Sequence, residues 1–470
     1  MSLQTGRQQF DEWLQSPKEG AHLEFKAAES QYDTDKLFKY CVAIANEGGG
    51  KFILGVTDVL PRMVVGTGAF SDRAETQKKI LIKLGFRVDV EEALFDGKRV
   101  LIFHIPSRPT GQPYHVEGAY YMRSEDELVA MSPDRLRTII LEGAPDWLSE
   151  IAVSGVSSSD VIQLLDTQNY FDLLKIPYPS TREGVLEKFE REGLIRSVQS
   201  EWEITRLGAI LFAKNLDDFD SVKRKAPRVI VYEGVGKLNT RLDRFSTKGY
   251  AVGFQALMEL INSQIPSNEV IGSALRKEIK MFPEVAIREL VANALIHQDF
   301  VETGTSVAVE IYSDRVEISN PGQPFIETDR FIDEYQSRNE RLADIMRRLG
   351  ICEEKGSGID RVIESSEIYQ LPAPDFRVSD RRTTAVLFAH KNFTEMNGSD
   401  RVRACYQHCC LRFVMNQRMT NESLRERFKL PESKRETASR VIRDTVEAGK
   451  IKPEGEVPGK KFARYLPSWA

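Results

Sequence analysis

The stretch that most restricts the fold is Phe282-Pro-Glu-Val-Ala-Ile-Arg-Glu-Leu-Val-Ala-Asn-Ala-Leu-Ile-His297. Val285, Ile287, Leu290, Val291, Ala294 and Leu295 recur at helical spacing, which predicts one amphipathic core helix with a wide apolar face. Pro283 suits its first turn, where a missing N–H costs nothing. Glu289 and Asn293 lie four apart and leave the same face. A carboxylate and an amide one turn apart suit a magnesium nucleotide. The carboxylate can orient and deprotonate a water, and the amide oxygen can sit on the metal. The same spacing also describes an ordinary surface pair on a core helix.

The residues that follow narrow the choice. Ser306–Tyr312 and Arg315–Ser319 alternate like strands, with Ser313-Asp314 as the turn between them. Asn320-Pro-Gly-Gln-Pro324 reverses the chain at a strand end. Glu354-Lys-Gly-Ser-Gly-Ile-Asp360 stands directly before an apolar helix start. Glycines that open a helix let backbone N–H groups approach phosphates, and the helix N-terminus favours the anion.

This ordered set of helix, hairpin, Asn-Pro-Gly turn and Lys-Gly-Ser-Gly helix start resembles the GHKL ATPase superfamily (the gyrase, histidine kinase and MutL group). It is most similar to the divergent branch at the C-terminus of RecG-like transcriptional regulators. The resemblance covers roughly residues 280–390 and implies an α/β sandwich that binds ATP with Mg2+. It casts Glu289 as general base and Asn293 as the magnesium ligand. Asn320 and Gly322 fall in the adenine-reading box, and Lys355, Gly356, Ser357 and Gly358 in the phosphate lid. The wider superfamily has Asp where this chain has Asn320, whereas the divergent branch has Asn-Pro-Gly. An Asn can still meet an adenine amino group through its carbonyl oxygen. GHKL domains commonly pair on binding ATP, so a homo-oligomer, with a dimer favoured, is expected.

A chain of 470 residues is too long for one core, and about three domains are expected. With 41% hydrophobic and 29% charged residues it has the composition of a globular protein, and its net charge of −5 does not advertise a nucleic-acid binder. No apolar run is long enough to span a bilayer, and Met1-Ser-Leu-Gln-Thr-Gly-Arg lacks a signal-peptide core. Cys405, His408, Cys409 and Cys410 cluster without paired zinc spacing. Reduced thiols in the cytoplasm are the simpler account.

From the N-terminus the pattern predicts a helix at 8–16, a turn and strand through Glu19–Lys26, and a helix at 34–47 ended by Gly48-Gly-Gly50. A buried strand at 51–57, a helix at 74–84 and strands at 100–105 and 119–123 follow, which makes a mixed α+β domain. Glu24 and Asp58 flank the same helix, and Lys26 shares a strand face with Glu24. With Glu19 they form a set that could bind Mg2+ or Mn2+ and steady a scissile phosphate, Lys26 offsetting developing charge. Scattered solvated carboxylates with a structural salt bridge fit the same spacing. Glu19-x4-Glu24-Phe-Lys, Ala45-Asn-Glu-Gly-Gly-Gly-Lys-Phe-Ile-Leu-Gly-Val-Thr-Asp58, the Ile105–Pro113 segment and Tyr-Tyr-Met-Arg123 together resemble the Schlafen AlbA-type domain over roughly 17–135. The resemblance implies a nuclease core with Glu19, Glu24 and Asp58 as its metal-binding triad. The competing account is a DNA- or RNA-backbone reader with Arg108 and Arg123 on phosphates.

Residues 145–280 carry no catalytic signature and read as scaffold, with a strand at Arg228–Tyr232. Over 401–470, 16 Lys plus Arg stand against 8 Asp plus Glu, a local net of +8. Thr420–Phe428 reads as a capped helix, and Lys434–Gly449 as a longer one carrying Lys434, Arg435, Arg440 and Arg443. Lys460 and Lys461 sit at a hairpin tip. The set resembles a winged helix-turn-helix, which serves as a nucleic-acid reader or as a protein-contact module. The expected architecture is therefore α+β and multidomain: a Schlafen AlbA-type domain at 1–140, a connector at 141–279, a GHKL-like α/β sandwich at 280–395 and a winged helix at 396–470. The favoured function is an ATP-binding regulator or defence protein acting on nucleic acid, enzymatic as an ATPase or nuclease. The alternatives are a non-catalytic, nucleotide-sensing transcriptional regulator and a scaffold whose site residues are relics.

Overall fold

The computed structural model describes residues 5–15, 20–124, 127–143, 146–271, 276–352, 358–455 and 463–470. The chain divides into two compact units, Met1–Pro145 and Asp146–Ala470. Among the described residues no helix is long and apolar enough to cross a membrane.

The first unit runs α1 (Arg7–Leu14), β1 (Leu23–Lys26), α2 (Thr34–Asn46), β2 (Gly50–Leu54), α3 (Arg73–Leu84), β3 (Asp89–Phe95), β4 (Lys98–Ile105), β5 (Tyr121–Ser124), β6 (Glu127–Ala130) and α4 (Pro133–Glu142). Its main sheet has the order β1-β2-β4-β3, with β1 parallel to β2 and the other pairs antiparallel. The period-2 pattern of the strands sends Phe52, Leu54, Leu101 and Phe103 into a core with α2 and α3. Phe25, Ile53, Val100 and Ile102 go to the other face, against Phe10 of α1. The glycine run does more than end α2. Gly49 has φ +84°, and a Cβ on Gly50 would stand 2.2 Å from the His22 carbonyl oxygen, so β2 leaves the helix where only glycine fits. Strand β3 goes unread in the sequence. Its inward Glu91, bound to His104 at 2.9 Å, breaks the apolar alternation.

The second unit runs β7 (Ile151–Val156), α5 (Ser158–Leu164), α6 (Thr167–Leu174), α7 (Arg182–Arg191), β8 (Ile195–Val198), β9 (Glu201–Thr205), α8 (Arg206–Phe212), β10 (Arg228–Tyr232), β11 (Thr240–Phe245) and α9 (Tyr250–Gln264). It continues through β12 (Ser267–Ile271), β13 (Arg276–Lys280), α10 (Glu284–His297), β14 (Ala308–Ile311), β15 (Arg315–Pro321), α11 (Glu340–Arg348), α12 (Gly358–Ile368), β16 (Asp375–Ser379) and β17 (Arg382–Phe388). It closes with α13 (Gly398–Val414), α14 (Asn421–Arg427), α15 (Arg435–Glu447), β18 (Ile451–Pro453) and β19 (Tyr465–Pro467).

A six-stranded mixed sheet, β11-β10-β14-β15-β17-β16, forms the framework, with one parallel pair, β10 with β14. Strands β10 and β11 come from the stretch read as connector, so part of that scaffold is sheet. Helices α9, α10 and α12 pack together beside this sheet, with α10 against β15. Helix α10 buries Ile287, Leu290, Val291, Ala294 and Leu295, as its periodicity predicts. Two details differ. Val285 is 49% exposed, because it lies on the solvent side of a first turn whose Ala286 and Ile287 are fully buried. Pro283 caps the helix from outside, with ψ 127°, instead of sitting in its first turn. The C-terminal helices α13, α14 and α15 and the antiparallel β18–β19 ladder share a core of their own. Thr420 and Ser423 form a reciprocal capping box at the start of α14.

Candidate functional site

Glu289 and Asn293 leave α10 into a cavity of about 450 Å3. Asn320, at the end of β15, and Gly358, the first residue of α12, line the same cavity. Four residues from three separate motifs thus converge. Gly358 sits against the α10 pair, where a Cβ would stand 3.0 Å from Glu289 Oε2 and 3.6 Å from Asn293 Nδ2. A larger residue at the start of α12 would press on the Glu289 carboxylate. Glu289 is buried, with Arg361 Nη1 3.9 Å from its Oε1.

Asn320 is held by its amide nitrogen, which donates to the Pro321 carbonyl at 3.0 Å and the His297 carbonyl at 3.4 Å. That leaves Oδ1 as the side chain's acceptor, with no donor to it among the described residues. Phe325, Tyr335, Ile359 and Phe376 supply apolar wall, which suits a flat aromatic ligand. Gly322, expected among the cofactor contacts, stands outside the lining. At φ +93° it packs against Asp299 and accepts from Thr383 Oγ1 at 2.8 Å, which shapes the wall from behind. Lys355, Gly356 and Ser357 fall outside the described residues.

Sequence reasoning passed over Arg338 and Asn339. Arg338 lines the cavity, donates to Asp299 Oδ2 at 3.3 Å and to the Gln323 carbonyl at 2.6 Å, and stacks over Phe325. Asn339 donates to the Ile296 and Gln298 carbonyls at 2.6 and 2.8 Å, and so caps the end of α10 from another segment. An Arg-Asn pair just ahead of an amphipathic helix is the one local signal for them.

His297 also lines the cavity, and burial, with Arg338 nearby, pushes its imidazole down from 6.5 to about 4. The folded protein keeps it neutral in a range where the unfolded chain takes up a proton. Its contribution to stability is therefore present above about pH 6.5 and lost as pH falls from there towards 4. Asp360 acts with the opposite sign. Burial, then Glu364 and Asp333, raise its carboxyl to about 6, which favours the fold at low pH. In urea unfolding at pH 4 and pH 7, His297→Gln is expected to remove up to about 3 kcal/mol of the wild-type difference. A variant with the wild-type pH dependence would show that the imidazole titrates as if in water.

In the first unit Glu24 and Asp58 do come together, but through a cation. Lys26 Nζ lies 2.8 Å from Glu24 Oε1 and 3.4 Å from Asp58 Oδ2. The other Glu24 oxygen accepts from Arg123, and both side chains of that pair are fully buried. This corrects the expectation that Arg123 meets phosphates, since it is spent beneath the surface on Glu24. Arg108 is corrected likewise. Its side chain is 9% exposed and pairs with Glu142 at 2.6 Å, with a further bond to the Asn46 carbonyl. Glu19 falls outside the described residues. Among those described, no three His, Cys, Asp or Glu converge to hold a metal. Among the described residues of the set, Lys26 stands between the two carboxylates and Arg123 on Glu24, where a divalent cation would have to displace them.

Lys434, Arg435, Arg440 and Arg443 are all exposed at and along α15, while Ala438, Val441, Ile442 and Thr445 face inward. Lys460 and Lys461 fall outside the described residues. Cys405, Cys409 and Cys410 are buried and free, and burial raises the Cys405 and Cys410 thiols to about 12. His408 turns to Glu367 and Ser423 instead of to these cysteines.

The family model described as "Schlafen, AlbA_2" matches residues 19–132, and "Putative ATP-dependent DNA helicase recG C-terminal" matches 304–387. The second match contains Asn320, Gly322 and Gly358 but begins after α10, so Glu289 and Asn293 lie outside it. No curated protein matches the chain. The crystal structure of the DIP2311 protein from Corynebacterium diphtheriae is similar at 16% identity, covering 98% of this chain and 96% of that one, with a TM-score of 0.44. The solution structure of the N-terminal domain of a putative ATP-dependent DNA helicase RecG-related protein from Nitrosomonas europaea covers 27% of this chain and 92% of its own, at 19% identity and a TM-score of 0.20. Residues 19–132, in the first unit, are thus similar to the Schlafen, AlbA_2 family, and residues 304–387, in the second, to the recG C-terminal family.

Proposed function

We propose that this chain binds an adenine nucleotide in the cavity between α10, β15 and α12 and acts on nucleic acid under its control. The observation that carries this reading is the convergence of Glu289, Asn293, Asn320 and Gly358 on one cavity. The locked Asn320 amide presents an acceptor, which suits the exocyclic amine of adenine and opposes the carbonyl of guanine. Asn293 would hold Mg2+, which would offset phosphate charge when bound, and its amide oxygen is a suitable hard ligand. Glu289 would orient and deprotonate a water. The name of the matched family, "Putative ATP-dependent DNA helicase recG C-terminal", agrees with a nucleotide and a nucleic-acid context. Calorimetry of the full chain with ATP and GTP, each with Mg2+, tests it. Heat with ATP and a weaker response to GTP is expected, and no heat with ATP would remove the reading.

For the first unit, the sheathed Glu24 favours a domain that binds nucleic acid over one that cuts it through a metal. This supports the non-catalytic, nucleotide-sensing regulator as the second reading. In either case α13–α15 with β18–β19 is read as a winged helix whose α15 meets nucleic acid. Changing Lys434, Arg435, Arg440 and Arg443 together to Ala is expected to flatten the slope of log affinity against log salt by about 3 to 4, near 0.9 per phosphate contact. Fluorescence anisotropy over a salt series measures it, and an unchanged slope would assign the phosphate contacts elsewhere.

A further inference from the structure

Helix α12 touches two parts of the second unit at once. At its start, Gly358 and Ile359 line the large cavity, and Gly358 abuts Glu289 and Asn293. At its end, Glu367 is gripped by the C-terminal helices. His408 of α13 brings Nδ1 to 3.0 Å from both carboxylate oxygens and turns Nε2 to Ser423 Oγ of α14 at 3.2 Å. Arg427 of α14 reaches Glu367 at 3.3 Å and donates to the Leu371 carbonyl, just beyond α12, at 2.7 Å. Arg427 is 5% exposed and His408 2%. A shift of α12 away from α13 and α14 would part Arg427 and His408, both buried, from the carboxylate that they share.

The flank of α12 makes a second connection. A smaller cavity of about 70 Å3 lies against α13, lined on that side by Arg403, Tyr406, Gln407 and Cys410. Phe331, Ile359 and Phe376 line both cavities, and the two phenyl rings meet edge-on at 5.3 Å. A wall with space on both faces can repack in a way that a close-packed wall cannot. Ile359 also packs against both cores, that of the sheet and that of the C-terminal helices.

We infer that α12, with the Phe331–Phe376 partition, couples occupancy of the large cavity to the placement of α13 and α14. Nucleotide and whatever α13–α15 binds are then not independent, and each changes the affinity for the other by the same factor. This rests on the adenine-nucleotide reading. The test is hydrogen exchange of the full chain with and without ATP and Mg2+, beside calorimetry in the same buffer. Binding heat is expected, with exchange in 398–414 and 421–427 changed by about threefold or more. In Glu367→Gln, binding should persist within about threefold while that exchange response is lost. Heat with no exchange response in the wild-type helices overturns the coupling and leaves the nucleotide reading standing. A full response in Glu367→Gln also overturns it, because α12 then does not carry the signal. Absence of heat overturns the nucleotide reading and the coupling together. Where Glu367→Gln fails to fold, the wild-type comparison still decides whether occupancy of the large cavity reaches α13 and α14.

Discussion

Asn293→Ala is expected to weaken binding of ATP with Mg2+ to the full chain by at least about tenfold, about 1.4 kcal/mol. Asn293 is partly buried on α10 and faces the cavity beside Gly358, so its loss removes a polar ligand without opening the core behind it. The core-facing positions of that helix, Leu290, Val291, Ala294 and Leu295, are untouched. Glu289→Gln separates binding from chemistry. It keeps the shape but removes the base, so affinity should hold within about threefold while any ATP hydrolysis falls by about 100-fold or more. Calorimetry on both variants, with phosphate release on the second, makes the check. An Asn293→Ala protein that binds as the wild type does would place the nucleotide elsewhere.

This site was legible because its parts are local. Helical spacing put Glu289 and Asn293 on one face, and an Asn-Pro-Gly turn and a glycine helix start are short motifs with a physical purpose. That they share one cavity is tertiary information. The sheet brings Asn320 beside α10, and the pairing of β10 with β14 joins residues about eighty apart. Periodicity carries no trace of such a partner, so Arg228–Tyr232 reads as a strand of the connector and β11 goes unread. Val285 shows the opposite failure, because spacing counted it into the apolar stripe although it faces solvent, while Ala286 beside it is fully buried. In the first unit, the two-residue spacing placed Lys26 beside Glu24 correctly. It had no means to find Arg123, 99 residues away, and an arginine in a Tyr-Tyr-x-Arg strand reads as a surface contact until its burial is seen.

Arg123→Met is expected to destabilise the first unit by about 3 kcal/mol. Breaking a buried ion pair from one side costs about 3–5 kcal/mol, because the remaining charge stays out of water. Both Arg123 and Glu24 are fully buried, and the guanidinium also lies 5.5 Å from the Tyr40 ring. Lys26 still holds the other Glu24 oxygen at 2.8 Å, which argues for the lower end of that range. Native-state hydrogen exchange in the full-length protein gives the readout unit by unit, and amides of α2 and β2 should exchange about 100-fold faster. Replacing both partners, as Glu24→Leu with Arg123→Met, should restore most of the protection, since apolar groups in the place of a buried pair are often neutral. The double variant distinguishes two roles for Arg123. A residue that holds Glu24 gives large single effects that cancel in the pair. A residue that meets phosphate leaves exchange at the wild-type rate and instead lowers affinity for nucleic acid, with a shallower salt dependence.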